Sequence, residues 1–423
     1  MSHVVQIVSR RMVLPEPTPW LPSEPDTTID LTPWDLRMIT VEYTQTGVLL
    51  PKPPATGEHG HHAPVVERLT SSLAHALGRF YPYAVAPGGE GVSISVSLRC
   101  SMEGAEFVHA VAPGVTVADV VAPLYTPGVV QSFFPLNGLL GVDAVAGSHP
   151  VLAAQVTELT DGVFVAMSLN HAVDHVHRRW FLDGCRVPIP LPFSKVEDIA
   201  SYGHSSLVQP QDCFLHFSAE SVKKLKAKAN AEASGTGIAT ISSLQALLAH
   251  LWVAVCRARR LAPDQSTTYV LLVGSRGRVD GVPAGYAGNA VARAEATSTA
   301  GEILERGPGR AASLLNKMVA SLDEASERDR LASWARNPSF ACVSAPPSAL
   351  VVTGNSPRFD VYGNDFGWGQ PVAVRRSSAN KMDGTATVFE GRGAALQVCL
   401  APEVLARLVT DDEFMSAVST ATA

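Results

Sequence analysis

Ser356-Pro357-Arg358-Phe359-Asp360-Val361-Tyr362-Gly363-Asn364-Asp365-Phe366-Gly367-Trp368-Gly369 is the stretch on which the reading of the fold turns. In its last five residues two glycines alternate with two aromatics, which allows tight backbone turns beside large rigid side chains. Taken alone, Asp365, Phe366, Gly367, Trp368 and Gly369 make an aromatic corner of a core as readily as part of a site. Two other stretches acquire meaning beside it. Residues 163–168 read as an apolar strand that runs straight into Asn170, His171 and Asp174. A strand end that opens into a loop is where catalytic side chains are often presented. A histidine there can act as general base, because its unperturbed pKa of about 6.5 lies near working pH. Without further support, a lone His near an Asp is more often a structural pair. The third stretch, Gly274-Ser275-Arg276-Gly277-Arg278, follows a strand directly and by itself is a basic turn.

The 423 residues are 46% hydrophobic and 17% charged, so there is ample apolar surface to bury and more chain than one core usually serves. A formal net charge of -6 leaves no basic footprint, which excludes nucleic acid as an expected partner. Lys223, Lys224, Lys226 and Lys228 have the spacing of a solvated helix face. The 6 cysteines form no CxxC pair and support neither a disulfide framework nor a zinc site. His59, His61 and His62 stand among Gly and Pro with no fourth ligand in sight, so no metal is expected. No run reaches the ~20 apolar residues of a bilayer span, and the opening residues lack an apolar segment of signal-peptide type. A cytoplasmic chain without a membrane partner is the expectation.

Hydrophobic periodicity divides the sequence into strands and helices throughout. Strands are expected at 4–9, 38–50, 92–100, 151–157 and 163–168, with a helix over 65–81 closed by Pro82. Beyond a polar stretch at 199–211 come a strand at 214–217 and helices at 221–233 and 244–259. Ser242 or Ser243 supplies the cap of the longer helix, and Arg257, Arg259 and Arg260 lie near its negative end. Further strands are expected at 268–273, 350–352, 372–374, 387–389 and 395–400, before a last helix at 402–408. Strands and helices mixed in both halves predict an α/β fold of two lobes. The expected division is 1–200 for the lobe carrying His171, 201–212 for a linker, and 213–423 for the lobe carrying Asp365 to Gly369.

The three stretches together resemble the BAHD acyltransferases of plants, which pair an HxxxDG motif near mid-chain with a DFGWG motif near the C-terminus. Residues 365–369 match DFGWG without change. Supporting matches are spread over the chain: Leu31-Thr32-Pro33-Trp34-Asp35, Leu77-Gly78-Arg79-Phe80-Tyr81-Pro82, Tyr286-Ala287-Gly288-Asn289 and Asn380-Lys381-Met382-Asp383-Gly384. The resemblance implies a two-lobed fold of chloramphenicol-acetyltransferase type, each lobe a mixed sheet flanked by helices, with a channel between the lobes. It implies transfer of an acyl group from acyl-CoA, a co-substrate rather than a resident cofactor, to a hydroxyl or amine of a small-molecule acceptor by a monomer. His171 would be the general base. The motif's aspartate, here Asp174, would be structural and paired to an arginine, a position that Arg276 or Arg278 occupies. DFGWG would shape the fold and the CoA site.

The family spacing is His, three residues, Asp, Gly, and this chain departs from it. His171 is followed by two residues and then Asp174, with His175 and Val176 where Asp and Gly should stand. Arg178-Arg179-Trp180-Phe181-Leu182-Asp183-Gly184 follow almost at once, although relatives reach such a stretch only after a helix and a Pro-rich connector. An internal segment beginning inside the motif is therefore expected to be missing. The loss of a helix uncovers several hundred Å² of apolar sheet at about 25 cal/mol per Å², a cost that rivals the ~5–15 kcal/mol stability of a domain. The alternative expectations are a catalytically impaired relative that binds a ligand, or a splice or gene-model product of a normal enzyme.

Overall fold

The computed structural model describes residues 5–19, 27–53, 65–80, 86–88, 94–100, 102–145, 149–173, 187–203, 210–234, 240–282, 286, 288–341, 349–354, 359–390 and 393–419. Among these residues the strands are numbered β1 to β15 in chain order, and they form three sheets. The first runs, in spatial order, β1 (Gln6–Val13), β6 (Ala105–Val111), β7 (Leu152–Glu158), β8 (Gly162–Leu169), β3 (Thr44–Pro51) and β13 (Ala373–Arg376). The second runs β11 (Val291–Thr299), β10 (Ser266–Gly274), β12 (Leu350–Gly354), β14 (Thr385–Glu390), β15 (Gly393–Leu400) and β9 (Gln211–Ser218). A small third sheet is built from β2 (Thr27–Asp30), β5 (Ser97–Cys100) and β4 (Ala86–Gly88). Both large sheets mix parallel and antiparallel pairs, in the α/β arrangement that the sequence predicts.

The helix Ser243–Arg259 anchors the second lobe. Ser242 Oγ accepts from the Gln245 N–H at 3.2 Å and Gln245 Oε1 accepts from the Ser242 N–H at 2.9 Å, so two orphan donors of the first turn are satisfied reciprocally. Twelve of its residues are buried, Trp252 among them, because the helix lies between the second sheet and the helices Ala219–Glu232, Ala300–Ala320 and Pro402–Leu408. In the first lobe the helix Val65–Arg79 lays Val66, Leu69 and Leu77 against Val13, Phe107, Leu152, Ala154, Val156 and Val163. That face of the sheet is covered unevenly. Toward the end of β8, Val165 and Leu169 are half-buried and Met167 is 46% exposed.

One expectation about the lobes needs correction. DFGWG was expected in the second lobe, yet β13, which follows it, is the edge strand of the first sheet: Ala373 pairs with Leu49 and Arg376 with Thr46. Phe366 and Trp368 pack against the Val66–Leu69 core of the first lobe. The chain then returns to the second sheet at β14, so the C-terminal half lends a strand across the interface. The cause is the hydrogen-bonding edge of β3, which an antiparallel partner satisfies wherever in sequence that partner lies. Of the expected 201–212 linker, 201–203 end the helix Val196–Gly203 and 211–212 open β9, while 204–209 lie outside the described residues.

Candidate active site

His171 sits just past β8, in a turn whose geometry its neighbours dictate. The Asn170 N–H still donates to Val151 O at 2.8 Å, which continues the ladder between β7 and β8 by one residue. Asn170 Oδ1 then accepts from the Ala172 N–H at 3.0 Å, and Asn170 O accepts from the Val173 N–H at 3.0 Å. These bonds close a turn over residues 170–173, the use to which an asparagine side chain at the first position is suited. The Asn170 amide is buried and donates to Gly141 O at 2.8 Å. Gly141 must be glycine there, because a Cβ would lie 2.8 Å from Ile39 O and 3.1 Å from Asn170 Oδ1. Ala172 and Val173 plug into an apolar core with Leu31, Ile39, Tyr43, Val142 and, from the other half of the chain, Trp334 and Phe340. His171, between them, is left half-buried.

Two remote motifs meet behind this turn. Asn289 Nδ2 donates to the carbonyl of His171 at 2.7 Å and to Asp35 Oδ1 at 3.2 Å, and the Asn289 N–H also donates to Asp35 Oδ1 at 3.2 Å. Asp35 is wholly buried, and its Oδ2 accepts from the Thr32 N–H at 3.1 Å and from Thr32 Oγ1 at 2.5 Å. Trp34 packs edge-on against Tyr286 at 6.1 Å and donates through Nε1 to Glu327 at 2.9 Å. Each buried polar group is thus satisfied, as a network in a low dielectric requires.

Burial pushes the His171 imidazole down to about 4, and the positive charges of Arg376 and Arg37 push the same way. Its own backbone carbonyl and the Asn289 side chain oppose the shift by favouring the protonated ring. Arg37 is itself lowered to about 10, by burial and by the nearby Arg330. Arg376 spans the lobes, donating weakly to Thr44 Oγ1 on β3 at 3.4 Å and to Thr387 Oγ1 on β14 at 3.5 Å. At neutral pH the ring is therefore an unprotonated acceptor in a positive field.

The remaining expected site residues fall in different places. Asp174 lies outside the described residues. Of its expected partners, Arg276 commits Nε to Tyr286 O and Nη2 to Gly288 O at 2.6 Å, so it braces the turn that presents Asn289. Arg278 is exposed on the same loop. The chain just after DFGWG joins the first sheet well along β8 from the imidazole: Val372 donates to Leu49 O at 2.8 Å, and Leu49 pairs with Phe164, seven residues before His171. Seven residues of extended strand span roughly 23 Å. Within the motif Asp365 Oδ1 accepts from the Gly367 N–H at 2.7 Å and the Gly369 N–H at 3.1 Å, while Phe366 and Trp368 stack at 5.8 Å. Arg68 lies 5.4 Å over the Trp368 ring and donates to Phe366 O at 2.9 Å. Gly367 has φ +95°, a left-handed conformation. Gly367→Ala is expected to cost about 1–3 kcal/mol in chemical denaturation, because the nearby Arg68 side chain can swing aside but the backbone cannot.

Asp35, Asn289, Arg37 and Arg376 were not singled out as site residues from sequence. Asp35 and Asn289 do stand in the motif matches 31–35 and 286–289, which was the available signal.

Comparison with known proteins places these features in context. The family model described as Transferase family matches residues 3–177 and 189–415, and the unmatched gap opens shortly after the His171 turn. An uncharacterized acetyltransferase of Arabidopsis thaliana is 33% identical over 426 residues, covering 92% of this chain and 94% of that protein. The BAHD acyltransferase DCR of the same plant is 30% identical over 433 residues, covering 91% of this chain and 88% of its own. Among solved structures, F. sporotrichioides TRI101 complexed with coenzyme A and T-2 superposes with a TM-score of 0.74 at 18% identity, over 93% of this chain and 99% of that one.

Proposed function

Because this chain belongs to the BAHD acyltransferases of the Transferase family, we propose that it transfers an acyl group from acyl-CoA to a hydroxyl or amine of a small molecule, with His171 as general base. The observation that carries the reading is His171 itself: its side chain is neutral at pH 7, the residue is half-buried, and its backbone carbonyl is held by Asn289 from the other half of the chain. His171 takes the proton of the acceptor O–H or N–H as that atom attacks the thioester carbonyl carbon. The tetrahedral oxyanion collapses, the C–S bond breaks, and the departing sulfur receives the proton from the imidazolium. Free CoA and an ester or amide result. The positive field of Arg37 and Arg376 that disfavours the imidazolium favours an oxyanion, the usual target of electrostatic catalysis. That TRI101 was solved with coenzyme A supports the choice of donor. No cofactor beyond the acyl-CoA co-substrate is invoked.

A second reading has its own support. Asp174 stands three positions after His171 instead of four, the family match is interrupted at 178–188, and Met167 is 46% exposed on the sheet face over β8. These observations favour a relative that lost a covering segment and binds ligand without turnover. Incubation of the purified protein with acetyl-CoA and a panel of alcohols and amines, with free thiol as the readout, separates the two. Thiol release above that of His171→Ala is expected; equality of the two would sink the catalytic reading.

A further inference from the structure

We propose that Asn289, clamped by Asp35, is the positioning residue for His171, so that the base is held in place across the lobes by an amide. This rests on the reading of His171 as the base. The strand ladder ends at Asn170, and the next carbonyl, that of His171, takes its hydrogen bond from Asn289 Nδ2 at 2.7 Å. The amide cannot be turned over, because both groups that face Nδ2, the His171 carbonyl and the Asp35 carboxylate, are acceptors. Asp35 is equally fixed, since Thr32 supplies two donors to one oxygen and Asn289 two to the other. Arg276 holds the carbonyls of Tyr286 and Gly288 and so fixes the backbone from which Asn289 projects. The line Thr32, Asp35, Asn289, His171 therefore fixes the backbone from which the base projects. Asn289 also bears on the ring, whose protonated form it favours. A base within hydrogen-bond reach loses about 10²-fold in rate for ~1 Å of misplacement.

The proposal separates from a merely structural role in a set of variants. Asn289→Ala is expected to lower kcat about 10²-fold while the KM for acyl-CoA changes little. Asp35→Asn is expected to act in the same direction through loosening of the amide. The double variant Asp35→Asn/Asn289→Asp restores a donor–acceptor pair between the two side chains, but it turns an NH2 group toward the residue-289 backbone N–H and a carboxylate toward the His171 carbonyl. Its kcat should therefore stay low. Recovery of kcat in the double variant would overturn the proposal, and so would an unchanged kcat in Asn289→Ala. A readout independent of turnover is the ring ¹⁵N spectrum of His171, identified by its loss in His171→Ala. Wild type should show one fixed tautomer and Asn289→Ala an averaged pair; identical spectra would refute positioning. If wild type releases no thiol, the acyl-transfer reading fails and the ¹⁵N comparison still decides this one.

Discussion

Replacing His171 with alanine is expected to lower kcat for acyl transfer by roughly 10²–10⁴-fold, the worth of a positioned general base, with little change in folding at neutral pH. The second half of that expectation follows from how the turn is built. Its fixed points are the Asn170 amide, the Val173 N–H, the His171 carbonyl and the apolar anchors Ala172 and Val173, none of which is the imidazole. Alanine keeps them all. The pH profile is the sharper test. With the imidazole pushed to about 4, kcat/KM should be flat from about pH 6 upward and fall only well below it. An ordinary histidine would already have lost half its activity at about pH 6.5.

Stability carries the same signature with a definite sign. The unfolded chain binds a proton on His171 near the ordinary histidine value of 6.5, and the folded chain only near 4. Below pH 6.5 the unfolded state therefore binds more protons, and folding stability falls as pH drops through this window, levelling off below 4. His216 and His250 are also lowered by burial, so wild type alone does not isolate the effect. The difference between the melting curves of wild type and His171→Ala does. The acid-side loss should be smaller in the variant.

How much of this could be read in advance depended on whether the signal was local. The Ser243–Arg259 helix and the strand into Asn170 were legible because periodicity, a serine cap and a turn-forming asparagine act within a few residues. β11 was not expected, since its inward residues are Ala292, Ala294 and Ala296, whose short side chains give little β signal. The helix Ala300–Ala320 was missed because Gly307 and Pro308 interrupt its pattern, and the structure kinks there, with φ +60° at Gly307. The pairing of Asp35 with Asn289 spans 254 positions, and nothing local announces it. The motif matches gave the residues without their geometry. For DFGWG they gave the identity of the turn but not the lobe, which the open edge of β3 decides.

The largest expected loss of stability lies at the opening of β9, where Asp212 is replaced by alanine. Asp212 Oδ2 accepts from Lys381 Nζ at 3.1 Å, Gln397 Nε2 at 2.6 Å and Thr126 Oγ1 at 2.5 Å, and both members of the ion pair are 10% exposed. Lys381 belongs to the segment that returns the chain from the first sheet to the second, and Thr126 to the segment that bridges Tyr125 to Cys213. One carboxylate thus ties three parts of the chain at the junction of the lobes. Burial lowers the Lys381 ammonium, and Asp212 is the main charge opposing that shift. Asp212→Ala strands the ammonium, and removal of one partner of a buried pair costs about 3–5 kcal/mol. The sign of the pH dependence follows. With its counter-charge gone, the folded Lys381 loses its proton at lower pH than the unfolded chain does, so the variant's stability should rise with pH up to the ordinary lysine value of 10.5. The deficit measured by denaturation at pH 7 should accordingly narrow by pH 9. Asp212→Leu/Lys381→Met removes both charges and should recover the part of the loss due to the stranded ammonium, but not the part due to Gln397 and Thr126, which still lack their acceptor. If Asp212→Ala unfolds at the wild-type midpoint, the pair does not hold the lobes together.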